Sequence, residues 1–307
     1  MTNILLAINI TLMYSAPLIL AGLGGVIAEK SGVVNLALEG MMTIGAFAGT
    51  LVAYHTGNPW LGLMAAGLAG AMLALLHAIA CVTFKANQTI SGIALNFIGP
   101  GLAVFLAKVF FDSTTSRPVE NRLPRLLSRV NNDDNNIFIN TLNIDSTVVI
   151  AFILVIIMYI FLYKTKWGLR VIAVGEHPEA ADTLGVNVSL TRYLCVITSG
   201  ILAGFGGAAY SLAIVSVFTP NIISGSGFIA LAAVIFGKWT PHGLLGACLV
   251  FGFSRALVVL IGASDIMIPS QFISMLPYVL TIVILVSFVG KSVAPKSLGR
   301  PFEKGKR

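Results

Sequence analysis

Glu39 is the residue whose type and setting most clearly ask for a chemical role. It falls inside an otherwise apolar stretch, one turn beyond Asn35, so on a helix the two side chains share a face. An ionisable group there is costly unless it meets a polar cavity or a partner. It therefore either lines a path for solute or makes a helix-packing hydrogen bond. Asn96 poses the same choice further along, after a polar start made by Asn87, Gln88 and Ser91. Arg255 lies deep in an apolar run, Phe253-Ser254-Arg255-Ala256, and its cost in hydrocarbon implies a partner, for which Glu39 is a candidate.

These residues do not make a catalytic set. The sequence has no GxxxxGK[ST], no HExxH and no grouping of His with Asp and a nucleophile, so an enzyme acting unaided is not expected. His77 stands alone on an apolar face and reads as a satisfied interior histidine, while His55 and His242 fall in turns. Cys81, Cys195 and Cys248 sit in separate apolar runs without metal-ligand or redox spacing, as small buried hydrophobes do. Neither a cofactor nor a metal is expected.

The elements that must position these groups are membrane helices. Of 307 residues, 57% are apolar and 10% charged, with 31 glycines. Soluble domains carry about 25% charged residues, so a water-soluble globule is excluded. Apolar stretches of about 20 residues per crossing fall at 4–28, 33–54, 60–84, 89–111, 147–163, 193–218, 227–237, 243–263 and 267–290. The reading is all-α: one polytopic domain, 1–307, of about nine transmembrane helices. The eleven residues of 227–237 fit a re-entrant or buried piece better than a lone crossing.

Charge orients the chain. The tail 291–307 holds six basic residues and one acid, and the linker 164–192 holds four basic residues. Both read as cytoplasmic by the positive-inside rule, which places the N-terminus outside, the C-terminus inside and the polar loop 112–146 outside. The short stretch 227–237 must then cross. Cytoplasmic segments carry 13 basic residues against four arginines in the outer loop. The formal charge of +7 is concentrated beside a span, which favours a membrane surface over nucleic acid.

Seven residues recur nearly unchanged, Ile19-Leu20-Ala21-Gly22-Leu23-Gly24-Gly25 and Ile201-Leu202-Ala203-Gly204-Phe205-Gly206-Gly207. Five crossings apart, they run in opposite directions, the trace of an inverted-topology repeat enclosing a pathway at the bilayer midplane. With no strand or βαβ unit around them, the glycines are not a dinucleotide fingerprint. They let helix backbones approach closely in lipid.

In the linker 164–192, Pro178 supplies a helix start and Gly185 a stop, enclosing Glu179-Ala180-Ala181-Asp182-Thr183-Leu184. The expectation is a two-turn helix with Ala180, Ala181 and Leu184 on one side. So short a helix is marginal alone in water and implies a docking surface.

The run from Gly24 to Met42, GGVIAEKSGVVNLALEGMM, followed by Gly45-Ala46, resembles the signature of bacterial ABC-importer permeases of the branched-chain amino acid, simple sugar and nucleoside group. Further matches lie at Ala86 to Asn96, Gly168 to Glu176, Gly225 to Ala232 and Gly237 to Pro241, so that the likeness spares little beyond the outer loop. Ser31-Gly32-Val33-Val34-Asn35 is most similar to nucleoside permeases served by a Bmp-type lipoprotein; other sugars and branched-chain amino acids follow.

The resemblance implies a multi-pass permease of the bacterial plasma membrane for nucleosides or related simple sugars. Its partners would be a second homologous permease, separate ABC ATPase subunits that hydrolyse ATP, and an external solute-binding lipoprotein. Glu179-Ala180-Ala181 followed by Gly185 resembles the importers' EAA-xxx-G coupling motif, although Cys195 stands where Ile is usual and no Leu-Pro follows. The implied coupling helix comprises Glu176, Pro178, Glu179, Ala180, Ala181, Leu184 and Gly185, and the candidate pathway residues are Asn35, Glu39, Asn96 and Arg255. From the residues alone, an ion-coupled secondary transporter with Glu39 as coupling acid stays open.

Overall fold

The structure, a computed structural model, describes residues 2–125, 143–262 and 293–303, with isolated positions at 275, 279 and 283. Where apolar runs are long enough to cross lipid, the chain satisfies its backbone internally as helix. In order these are α1 Thr2–Lys30, α2 Leu38–Thr56, α3 Pro59–Ala78, α4 Gln88–Phe111, α5 Ser146–Lys164, α6 Lys166–Glu176, α7 Pro178–Thr183, α8 Val188–Ala208, α9 Ser226–Phe236 and α10 Pro241–Gly262. π-helical turns continue α3 through Ile79–Thr83 and α8 through Ala209–Ile214. Among the described residues there is no named strand, only a bridge between Arg125 and Asp145.

Side chains set the starts. The side-chain oxygens of Asn58, Asn87, Thr165 and Asn187 accept from backbone N–H groups in the first turns of α3, α4, α6 and α8, as N-caps do. Gly185, at φ 81°, lets the chain leave the α7 turn in the left-handed conformation.

Among the described residues, six helices are long and apolar enough to cross a membrane: Ile4–Lys30, Pro59–Thr83, Gln88–Phe111, Ser146–Lys164, Val188–Ile214 and Pro241–Gly262. The 19-residue α2 and the eleven-residue α9 are packed among them. A count of nine spans is therefore not reached on the described residues, and the stretch 267–290 lies almost wholly outside them. Two boundaries differ from the apolar pattern. The run 33–54 becomes helical only at Leu38, because Gly32 takes φ 91° and the Asn35 side chain bonds the Ala37 N–H instead. The run 193–218 starts earlier, at Val188, where Asn187 caps it.

α1 sits at the centre of the core, with Ala16, Ile19, Leu20, Ala21, Leu23, Val26 and Ala28 essentially inaccessible. It packs on α8 through the repeated glycines. A Cβ added at Gly24 would lie 2.6 Å from Ser199 O, and one at Gly206 2.7 Å from Pro17 O. Residue number rises along one helix as it falls along the other, so the two echoed segments run antiparallel. Beyond α8's far end, Val119 and Leu123 of the loop after α4 donate backbone hydrogen bonds to Ser216 O and Leu212 O. That loop and the α6–α7 region thus lie at opposite ends of a 27-residue helix, about 40 Å at 1.5 Å per residue.

Candidate functional site

The seven residues Ser31 to Ala37 join α1 to α2: the N–H groups of Ser31, Gly32 and Val33 bond back to Ala28 O and Glu29 O, and Ala37 O accepts from Met41 N–H, but the backbone between them lacks helical partners. Backbone left unpaired at membrane depth costs several kcal/mol per group, so the surrounding helices must supply partners, and their polar side chains do. The Gln88 side-chain carbonyl accepts from Val34 N–H at 2.7 Å, and His77 Nε2 meets Val34 O at 3.0 Å while its Nδ1 meets Ser91 Oγ at 2.9 Å. Asn96 Nδ2 donates to Leu36 O at 2.7 Å, and its Oδ1 accepts from Gly40 N–H at 2.9 Å. Asn35, fully buried, donates to Ser199 Oγ on α8 at 2.7 Å. The buried Arg192 guanidinium donates through Nε to Ser31 O at 3.2 Å.

Glu39 acts at the other end of the break. Its Oε1 accepts from Gly225 N–H and its Oε2 from Gly227 N–H, both at 2.7 Å. The carboxylate thereby caps the N-terminus of α9, whose orphan donors and positive dipole end suit an anion. Gly227 lies directly against α2, where a Cβ would come 2.5 Å from Glu39 N. Among the described residues no ion pair joins Glu39 to Arg255, which sits half-buried on α10. That suggested pairing is corrected: the carboxylate is turned to the head of α9, where backbone donors meet each of its oxygens. Glu29, 3% exposed, accepts from Trp239 Nε1 and ties the end of α1 to the α9–α10 turn.

Asn35, Glu39 and Asn96 therefore converge on the break, but each holds backbone or a neighbouring helix. His77 is the satisfied interior histidine that its isolation suggests. Gln88, Ser199 and Arg192 complete the cage. Of these, Gln88 had a visible signal as a polar residue opening an apolar helix, whereas Ser199 carried none. Replacing Gln88 by Leu strands the Val34 N–H and is expected to cost about 1–3 kcal/mol. Gln88→Glu keeps the acceptor and is expected to recover most of it, as read by the thermal midpoint of the purified chain.

At the end of the molecule where α1 finishes, α6 and α7 fold against it. Glu176 closes α6 and acts electrostatically on Lys30. Pro178 opens α7, Ala181 is buried against Val174 and Val188, and Leu184 is 84% exposed. Glu179, Ala180 and Gly185 are exposed. Ala181 thus does not share an outward face with Ala180 and Leu184: a six-residue helix lying on α6 must turn some residues inward, and Pro178 and Ala181, three positions apart, are those residues.

Residues 7–285 match the family described as branched-chain amino acid transport system / permease component. The chain belongs to this family. The permease is 42% identical to the guanosine ABC transporter permease protein NupQ of Bacillus subtilis, over 97% of this chain and 96% of the relative. It is 41% identical to the nucleoside ABC transporter permease protein NupC of Lactococcus lactis, over 96% of each chain. A second Lactococcus lactis protein, the nucleoside ABC transporter permease protein NupB, is 26% identical over 69% of this chain and 61% of its own length. Together with the six long apolar helices, the family makes this a multi-pass membrane permease.

Proposed function

We propose that the chain is one of two permease subunits of an ATP-driven nucleoside importer in the bacterial plasma membrane. The supporting observation is identity above 40% to relatives named as guanosine and nucleoside permeases across nearly the whole chain. The two Lactococcus lactis relatives, NupB and NupC, support pairing with a second, different permease. An ABC ATPase on the cytoplasmic side and an external solute-binding lipoprotein complete the assembly. The α7 end, with 164–192 and the basic tail 291–307, faces the cytoplasm, and the loop 112–146 faces outside with the N-terminus.

In this reading ATP binding draws the ATPase subunits together and moves α7 through its exposed Glu179, Ala180 and Leu184. The motion reaches the break at Ser31 to Ala37, whose hydrogen bonds come from α3, α4 and α8, and changes how the two permeases meet. Solute passes between the subunits, beside the break held by Asn35, Glu39 and Asn96, with Arg255 on α10 as a further lining group.

The test is uptake in cells lacking nucleoside import that are given the permease, its partner permease, ATPase and lipoprotein. Labelled guanosine should enter, with competition from other nucleosides but not from glucose or leucine. Competition by glucose instead would favour a sugar permease, a second reading supported by a Haloferax volcanii relative named as a putative glucose ABC transporter permease protein, 40% identical over 67% of this chain. Uptake that survives loss of the ATPase and collapses with a protonophore would overturn the proposal. Leu184→Asp is expected to cut uptake at least about tenfold, equivalent to 1.4 kcal/mol or more in barrier terms, while ATP hydrolysis by the assembled complex continues.

A further inference from the structure

Arg192 heads the largest side chains that are fully buried, at 2% exposure in the second turn of α8. Among the described residues it forms no ion pair. A buried cation of this kind is tolerated only where acceptors surround it. Its acceptors come from two segments far apart in sequence. Nε donates to Ser31 O at the start of the break, while Nη1 donates to Arg300 O at 3.0 Å and Nη2 to Ser297 Oγ at 3.4 Å.

Residues 293–303 form a strap across the α6–α7 end of the molecule. Ser297 N–H donates to Gly175 O at 3.0 Å, and its hydroxyl reaches the same carbonyl at 2.7 Å. Gly299 N–H donates to Gly32 O at 3.1 Å. Phe302 packs on the cluster of Val174, Ala181 and Val188, and Lys296 Nζ lies 3.5 Å from Nε2 of His177, the residue before α7, so the strap meets both the head of α7 and the cluster that its inward Ala181 joins. Glu303 and Lys85, 3.7 Å apart, fix its far end to the turn before α4. Gly32 has no room for a side chain here: a Cβ would stand 2.5 Å from Ser297 Oγ and 2.9 Å from Arg192 Nη2.

We infer that the strap 293–303 and Arg192 form the linkage that carries motion of α7 to the α1–α2 break, with Arg192 as its positioning residue. The inference rests on the reading of α7 as the element the ATPase moves. α7 has no direct hydrogen bond to the break among those described. Its route runs from the cluster that Ala181 joins through Phe302, and from His177 through Lys296, along the strap backbone to Gly32, while the Arg192 guanidinium holds strap and break together by binding both. Were the strap to leave with α7 and the break to stay, the guanidinium would keep one acceptor and lose two. A fixed spacing between strap and break is therefore the low-energy arrangement, and displacement of one drives the other.

The linkage is tested in proteoliposomes containing the permease, its partner permease, ATPase and lipoprotein, with labelled guanosine as solute. Phe302→Ala and Ser297→Ala should assemble in normal amount and continue to hydrolyse ATP. They should transport several-fold less guanosine per ATP and lose the stimulation of hydrolysis by loaded lipoprotein. Arg192→Lys, which keeps the charge but cannot span both segments, should show the same lowered ratio. Unchanged guanosine per ATP in both Phe302→Ala and Ser297→Ala would overturn the inference. So would a fall in transport matched by an equal fall in assembled complex and hydrolysis, the mark of a purely structural strap. Leu184→Asp, run alongside, separates the two claims: if it uncouples and the strap variants do not, the linkage alone is wrong, and if it fails to uncouple, the reading of α7 is wrong.

Discussion

Glu39→Ala is expected to destabilise the permease and abolish uptake together. The substitution strips the acceptors from Gly225 and Gly227 N–H at the head of α9. Each buried donor left unpaired costs about 1–3 kcal/mol, and losing the negative charge at a helix N-terminus adds about 0.3–1 kcal/mol. The thermal midpoint should fall by roughly 5–15 °C, at about 2 °C per kcal/mol for a chain of this size. Glu39→Gln retains one accepting oxygen but turns an amide N–H₂ toward a donor, so it should fall between wild type and alanine. If Glu39 served solely as a solute or ion ligand, both variants would lose uptake at an unchanged midpoint. Measuring the two quantities on the same preparation distinguishes these cases.

Gly206→Val is the second large effect. Its Cβ would stand 2.7 Å from Pro17 O and 3.3 Å from Ala21 N. Those obstacles are α1 backbone, which no rotamer change can move. α8 would have to withdraw from α1, and overpacking of this kind costs about 1–3 kcal/mol or more. The withdrawal would also stretch the Asn35–Ser199 bond, because Ser199 lies two helical turns away on the same helix. Membrane-inserted protein should drop steeply against wild type in a protease-protection and quantitation assay. Gly101→Val, at a position with open space around it, should leave it unchanged.

Much of this architecture can be read from hydropathy, because runs of about 20 apolar residues have few alternatives in lipid. Pro178 and Gly185 bounded α7 for the same reason: both act through local backbone geometry. The echoed glycines were legible as close packing, but only Gly24 and Gly206 face the other repeat's helix; Gly22, Gly25, Gly204 and Gly207 meet α10, α9, α3 and α2. The break was not legible, since Val33 and Val34 are as apolar as the helix that follows, and what interrupts them is a φ at Gly32 and a side-chain bond at Asn35. The polar residues of α4 announced themselves, but their targets did not: Gln88 and Asn96 bond backbone 54 and 60 positions away. Arg192 was counted as one more cytoplasmic charge and the tail as a basic surface. Nothing in residue type distinguishes a guanidinium in solvent from one closing on two distant carbonyls.

The cage around Ser31 to Ala37 also bears on how the chain is made. Asn35 must await Ser199, 164 residues later, and Ser31 must await Arg192, 161 later. At 5–20 residues per second, synthesis of that interval takes roughly 10–30 s. His77, Gln88 and Asn96 seal Val34, Leu36 and Gly40 early in that interval, but Ser31 O and Asn35 Nδ2 lack their partners until α8 arrives, so the last closure of the joint comes from the back half of the polypeptide. Nascent chains released before α8 are accordingly the ones a membrane quality-control protease should recognise.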